Sequence, residues 1–139
     1  MARISAAIRR LVRSRAQNRC EYCKFPLRPP HSRFHCEHIV ARQHGGIDED
    51  SNLAFACDLC NLHKGPNLSG IDPVTGRLAR LFNPRKQSWS EHFRFHGPFL
   101  SGCTPIGRAT VAVLRMNSEQ RILVRRSLMT RGLFPNPET

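Results

Sequence analysis

The chain has 139 residues and a formal net charge of +12, with a pI near 10.9, and that length suits one modest domain with at most a satellite. Of its 22 basic residues 19 are Arg and 3 are Lys, and because guanidinium groups make bidentate phosphate contacts the expected partner is a polyanion, nucleic acid first. No apolar run approaches the roughly 20 residues of a membrane span and no signal-peptide core is present, so the expectation is a protein without membrane contact in the reducing cytoplasm.

Residues 1–17 place Ile4, Ile8, Leu11 and Val12 at helical spacing among Arg3, Arg9, Arg10, Arg13 and Arg15. This predicts a basic amphipathic helix that either packs on the domain or reaches phosphates. Cys20-Glu21-Tyr22-Cys23 follows, then a Pro-rich loop over 25–34. Phe34 to Val40 reads as a strand, with Phe34, Cys36, His38 and Val40 on one face and His35, Glu37 and Ile39 on the other. A break after Glu37 would let Glu37 and His38 share a site. The acids Asp48, Glu49 and Asp50 read as a solvated turn that, with Ser51, precedes a short helical or turn segment over 52–56.

Cys57-Asp58-Leu59-Cys60-Asn61-Leu62-His63-Lys64-Gly65 then predicts a short helix with Asn61 and Lys64 on one face. Beyond it, residues 70–76 predict a tight turn, and 77–82 and 89–95 short strands. A helix capped by Thr104-Pro105 should run to about Met116. A second, from Glu119 to about Thr130, should turn Ile122, Leu123 and Leu128 inward and Arg121, Arg125, Arg126 and Arg131 outward before Gly132 ends it.

Two C-x-x-C pairs supply the four sulfurs of a closed tetrahedral zinc site: Cys20, Cys23, Cys57 and Cys60. Cys36 is expected as a small buried residue, with no disulfide to Cys103. Inside this soft-metal frame lie Glu37-His38-Ile39, His44-Gly45-Gly46 and Asn52-Leu53, groups suited to a hard ion. Taken with Cys57-x-x-Cys60-Asn61-x-x-Lys64-Gly65, this order resembles the HNH endonuclease family. The resemblance extends over roughly residues 16–135, through Gly65-Pro66-Asn67-Leu68, Leu81-Phe82-Asn83-Pro84-Arg85 and Thr104-Pro105-Ile106-Gly107-Arg108.

The resemblance implies an α+β fold: a zinc-braced ββα-metal core over 18–70, preceded by the basic helix of 1–17 and followed by an extension over 71–135 of short strands and two helices. It implies a metal-dependent DNA endonuclease leaving 5′-phosphate and 3′-hydroxyl ends, with His38 as general base and Asn52 holding the loop and orienting His38. Glu37 and Asn61 would be oxygen ligands to Mg²⁺ or Mn²⁺. His63 stays open between a third ligand, a phosphate contact and a surface histidine; as a ligand it would also admit Ni²⁺. Lys64, with Arg42 and His44, would contact nucleic acid. His31, His35, His92 and His96 are expected to be structural or exposed. The expected assembly is a monomer or weak dimer, RNA is an alternative substrate, and the rival function is a non-catalytic zinc-stabilised nucleic-acid-binding module.

Overall fold

The computed structural model describes residues 4–28 and 33–135, so His31 lies outside the described residues. At the centre, strand β1 (Phe34–His38) pairs antiparallel with β2 (Leu53–Cys57), Phe34 opposite Cys57 and His38 opposite Leu53. Helix α2 (Asp58–Lys64) follows directly. This β1-β2-α2 order is that of the expected ββα unit, although the segment before α2 is extended where a helix or turn was expected. The acidic run makes a 3₁₀ turn at Asp50–Asn52, and Leu53–Cys57 is strand with every residue buried. Its near-continuous apolar run suits a strand covered on both faces.

Alternation divides the hairpin. Glu37, Ala54 and Ala56 turn towards the main core, where Tyr22, Phe82, Phe93, Leu100 and Leu114 are buried. Cys36, Leu53 and Phe55 turn towards helix α1 (Ala6–Arg15) and pack on its fully buried Val12 and on Ile8. Cys36 is therefore half-buried in a small second core. His38, two residues beyond Cys36 and opposite Leu53, takes the α1 face. The expected break after Glu37 is absent: pairing continues through His38, and the Ile39 amide donates to Asn52 O at 2.8 Å. Glu37 and His38 thus stay on opposite faces.

Ser5 caps α1, its Oγ accepting from the Ile8 amide at 3.1 Å. At the other end the Arg15 guanidinium donates to the carbonyls of Asp50 and Leu53, both at 2.6 Å, fastening the helix to the hairpin beside His38.

The extension begins with a hairpin, β3 (Ser69–Ile71) and β4 (Leu78–Arg80), shorter than the strand expected over 77–82. Its tight turn depends on the fully buried Asp72, which accepts from the Val74 amide and the Thr75 hydroxyl at 3.0 Å and from Arg108 twice at 2.8 Å. The expected strand over 89–95 splits into a helical turn, α3 (Trp89–His92), and strand β5 (Phe93–His96), which pairs with β6 (Phe99–Gly102). Trp89 and Phe93 are four residues apart and their rings stack at 5.2 Å, a helical spacing that also satisfies an alternating pattern.

Helix α4 (Pro105–Val113) is capped by the Thr104 hydroxyl, which accepts from the Gly107 amide at 3.0 Å. It stops short of Met116 because Arg115 turns left-handed, at φ 49°. Helix α5 (Glu119–Thr130) reverses two expectations. Arg121 and Arg125 are buried and form an inward stripe with Leu128, whereas Leu123 is exposed. Both guanidiniums are satisfied inside, Arg125 by the carbonyls of Pro98 at 2.6 Å and Met116 at 2.7 Å and Arg121 by Leu114 O at 2.7 Å and by sulfur. Buried acceptors outweighed the polarity on which the outward reading rested.

Gly107 lets α4 lie against the α3–β5 segment: a Cβ there would stand 2.0 Å from the carbonyl oxygen of His92. Gly107→Ala is therefore expected to cost about 1–3 kcal/mol, as other overpacking changes do, measured as a lower urea midpoint with an unchanged m-value.

Candidate active site and cysteine cluster

The two C-x-x-C turns meet as the sequence requires. All four sulfurs of Cys20, Cys23, Cys57 and Cys60 lie within 4.8 Å of one another and all four residues are buried. The Cys23 and Cys57 sulfurs are 3.7 Å apart. Zinc–sulfur bonds of about 2.3 Å at tetrahedral angles give sulfur separations of about 3.8 Å, so the cluster has the size of a zinc tetrahedron. Backbone amides already point at the sulfurs, Cys23 N to Cys20 Sγ at 3.4 Å and Cys60 N to Cys57 Sγ at 3.5 Å. Arg121 adds a guanidinium 3.0 Å from Cys60 Sγ and 3.9 Å from Cys57 Sγ.

Burial raises the Cys20 and Cys60 thiols well above their ordinary range, while hydrogen bonds from its neighbours, Cys20 first, hold Cys23 well below it. Four sulfurs in so small a dry space cannot all be thiolates without a cation. The cluster could hold a structural metal such as zinc.

On the core face of the hairpin, Glu37 is enclosed. Its Oε2 accepts from the Tyr22 hydroxyl at 2.7 Å, and its Oε1 is ion-paired with the Lys64 ammonium. Lys64 also donates to the carbonyls of His38 at 3.2 Å and Ile39 at 3.0 Å. The two side chains are only 4% and 2% exposed. Burial pushes the Glu37 carboxyl above its ordinary range, against the opposing pull of Lys64 and Tyr22. Lys64 is thus a buried tie between α2 and the end of β1, where a phosphate-contacting cation was expected. The one-turn spacing from Asn61 that suggested a shared surface instead points Lys64 inwards.

On the α1 face, His38 Nε2 lies 2.7 Å from Asp48 Oδ1, which also accepts from Arg42 Nε at 2.7 Å. The hydrogen bond from Arg42 first, then that from His38, keeps the Asp48 carboxyl below its usual range. An ionised carboxylate only accepts, so the proton of this bond belongs to Nε2, and in the neutral tautomer that this selects Nδ1 carries the lone pair. Asp48 went unrecognised in the sequence because it stands in a run of acids ten residues from His38, where a solvated turn is the simplest reading. Only the folding back of the 40–47 loop pairs them.

Asn52 holds that loop. Its Oδ1 accepts from the Val40 amide, and its Nδ2 donates to the carbonyls of Val40 and Ile47, all at 2.9 Å. The loop is as tight as glycine permits, since a Cβ on Gly46 would stand 1.7 Å from Val40 O. Asn52 makes no bond to the His38 ring; its hold is on the chain two residues further along.

The remaining expected residues scatter. Asn61 is half-buried on α2. His63, two residues on, faces Arg115 and Arg121, whose charges add to loss of hydration in lowering its pKa. Arg42 and His44 are exposed on a 3₁₀ turn (Arg42–His44). Elsewhere, His35 Nε2 lies 2.7 Å from Asp58 Oδ1, buried His92 bonds Thr104 Oγ1 at 2.6 Å, and His96 is exposed. Among the described residues, only the four cysteines bring three or more His, Cys, Asp or Glu ligand atoms together. Of the residues expected to hold a hard divalent ion, Glu37 is engaged by Tyr22 through Oε2 and ion-paired with Lys64 through Oε1, while Asn61 and His63 are half-buried on α2.

The paired cysteine turns, the β1-β2-α2 order and the Asn52-braced loop that presents His38 coincide in one stretch. Residues 20–67 match the HNH endonuclease family. The four clustered cysteines, the small antiparallel strands and the helices are consistent with an HNH ββα-metal fold. Over 116 residues the chain is also 27% identical to the Septu protein PtuB of Bacillus thuringiensis, a similarity that covers 82% of this chain and 42% of that protein. No solved structure matches.

The enclosed pair on the core face of the hairpin gives a test. Lys64→Met leaves the Glu37 carboxylate buried without its cation and is expected to cost about 3–5 kcal/mol in chemical denaturation. Adding Glu37→Gln should recover a large part of that loss.

Proposed function

We propose that this chain is a metal-dependent HNH endonuclease acting on DNA, with His38 as general base and the four cysteines holding a structural zinc. The observation that carries the reading is the His38–Asp48 pair at 2.7 Å, on a loop braced by Asn52 within the HNH stretch. Asp48 fixes the ring and its tautomer, so that Nδ1 can take a proton from water. The water oxygen attacks phosphorus, the bond to the 3′ oxygen breaks, and that oxygen takes a proton from solvent. The ends are then a 5′-phosphate and a 3′-hydroxyl. As the imidazolium forms, the Asp48 carboxylate stabilises it. The net charge of +12 favours a polyanionic substrate.

In this reading Glu37 and Lys64 set the position of the β1 end from behind, and no step is assigned to a divalent ion on Glu37. Mg²⁺, Mn²⁺ and Ni²⁺ are instead variables of the assay. The closed Glu37–Lys64 pair is also the observation that favours the rival, a zinc-braced module that binds nucleic acid without cutting it.

Supercoiled plasmid incubated with the wild type and each ion in turn separates the two. Nicked or linear product with at least one ion is expected, with His38→Ala lowering the rate by about 10²–10⁴, the usual size of a general-base contribution. Asp48→Asn should lower it by tenfold or more while leaving the cysteine-bound metal in place. Plasmid that is bound but intact with every ion would leave the binding module as the better description.

A further inference from the structure

The first twenty residues contain six arginines and no acid, and the packing of α1 explains only part of that bias. Val12 and Ile8 anchor the inner face, and Arg15 is consumed by Asp50 and Leu53. Arg10 and Arg13 remain on the outer face, both exposed. With Ser14 and Asn18 they line a shallow cleft of about 420 Å³ with no carboxylate in its lining.

The cleft is partly built in advance. The chain leaves α1 through two left-handed residues, Gln17 at φ 56° and Asn18 at φ 58°, and the Asn18 amide returns to Arg13 O at 3.2 Å. This brings the Asn18 side chain back beneath the helix, where its Oδ1 accepts from Arg13 Nε at 2.7 Å. Arg13 uses one of its five N–H donors there and keeps the outer edge of its fork, and Asn18 keeps its amide N–H groups. Arg10 stands about one turn earlier and Ser14 follows Arg13 directly, so every side chain lining the cleft carries an N–H or O–H donor. Cations in the last turn of a helix also complement its dipole, which accounts for Arg13 but not for Arg10, a turn earlier, or for the fixed Asn18.

The location gives the cleft its meaning. α1 covers the hairpin face that carries Cys36, Leu53 and His38, and its C-terminal end is fastened by Arg15 to Leu53, the residue paired with His38. We propose that Arg10, Arg13, Ser14 and Asn18 form a phosphate-binding cleft for the nucleic-acid backbone, holding a phosphodiester near the one His38 acts on. The inference rests on the nuclease reading for its substrate. It adds where the strand lies: along α1 rather than along the extension. Contacts of this kind fix register without reading sequence.

The test is binding, not cleavage. Fluorescence anisotropy of a labelled 20-base-pair duplex is followed across a KCl series with the full-length wild type, with Arg10→Ala/Arg13→Ala and with Arg80→Ala/Arg94→Ala. The last pair removes the same charge from exposed positions on the extension. Each lost phosphate contact lowers the slope of log Kobs against log salt by about 0.9. The α1 variant is therefore expected to lose about 1.8 and the control less than about 0.5, with duplexes of unrelated sequence affected alike. An α1 variant that keeps the wild-type slope, or a control that falls equally, overturns the cleft while the plasmid assay leaves the nuclease reading standing. A wild type that neither binds nor cuts removes both.

Discussion

Four buried sulfurs have to be held in a volume fit for one ion, and the rest of the molecule is arranged to satisfy that demand. The first C-x-x-C turn precedes the Pro-rich loop and β1, and the second joins β2 to α2, so gathering the sulfurs closes the β-hairpin and starts the helix together. Amide hydrogens and the Arg121 guanidinium offset part of the negative charge. They are dipoles and one cation at the edge of the cluster, whereas four thiolates need a bound ion at the centre. Arg121 also makes α5 part of the arrangement. The C-terminal helix is tied to the cluster through Arg121, and its second buried arginine, Arg125, is held instead by the Pro98 and Met116 carbonyls.

The hairpin then sorts chemistry by face. Because β1 keeps its alternation to the end, Glu37 enters the core with Lys64 and Tyr22, and His38 turns to the α1 face with Asp48. One pair is dry and costly to break; the other keeps partial access to solvent, with side chains 18% and 28% exposed. Lys64 joins the two by holding the His38 and Ile39 carbonyls from behind, and Asn52 holds Val40 from beyond them. The proposed base thus sits at the end of a strand fixed from both sides, a rigid mount for a group that must meet a phosphate at hydrogen-bond distance.

Local chemistry at fixed spacing was legible in the sequence. The C-x-x-C pairs specified their own cluster, the Gly45-Gly46 turn and Asn52 specified the loop, and Thr104-Pro105 marked the start of α4. Groups whose partners lie far along the chain were not legible. Asp48 looked like one solvated acid among several, Lys64 like a surface cation and Arg121 like part of a polar helix face. Each is claimed by an acceptor or donor that only the tertiary fold supplies. Short apolar stretches were ambiguous for another reason. Leu53–Cys57 has no polar face to show its period, and Trp89 with Phe93 satisfies both a strand and a helix.

The most direct measurement is metal content and its removal. Elemental analysis of the purified chain should give one zinc per molecule, and a strong chelator in excess Mg²⁺ should release it together with the near-ultraviolet signal of Tyr22 and Trp89, which pack against the cluster side of the core. Zinc restoring that signal on return is the expected result. A metal-free chain that keeps the same signal and the same stability would contradict the central role given to the four cysteines.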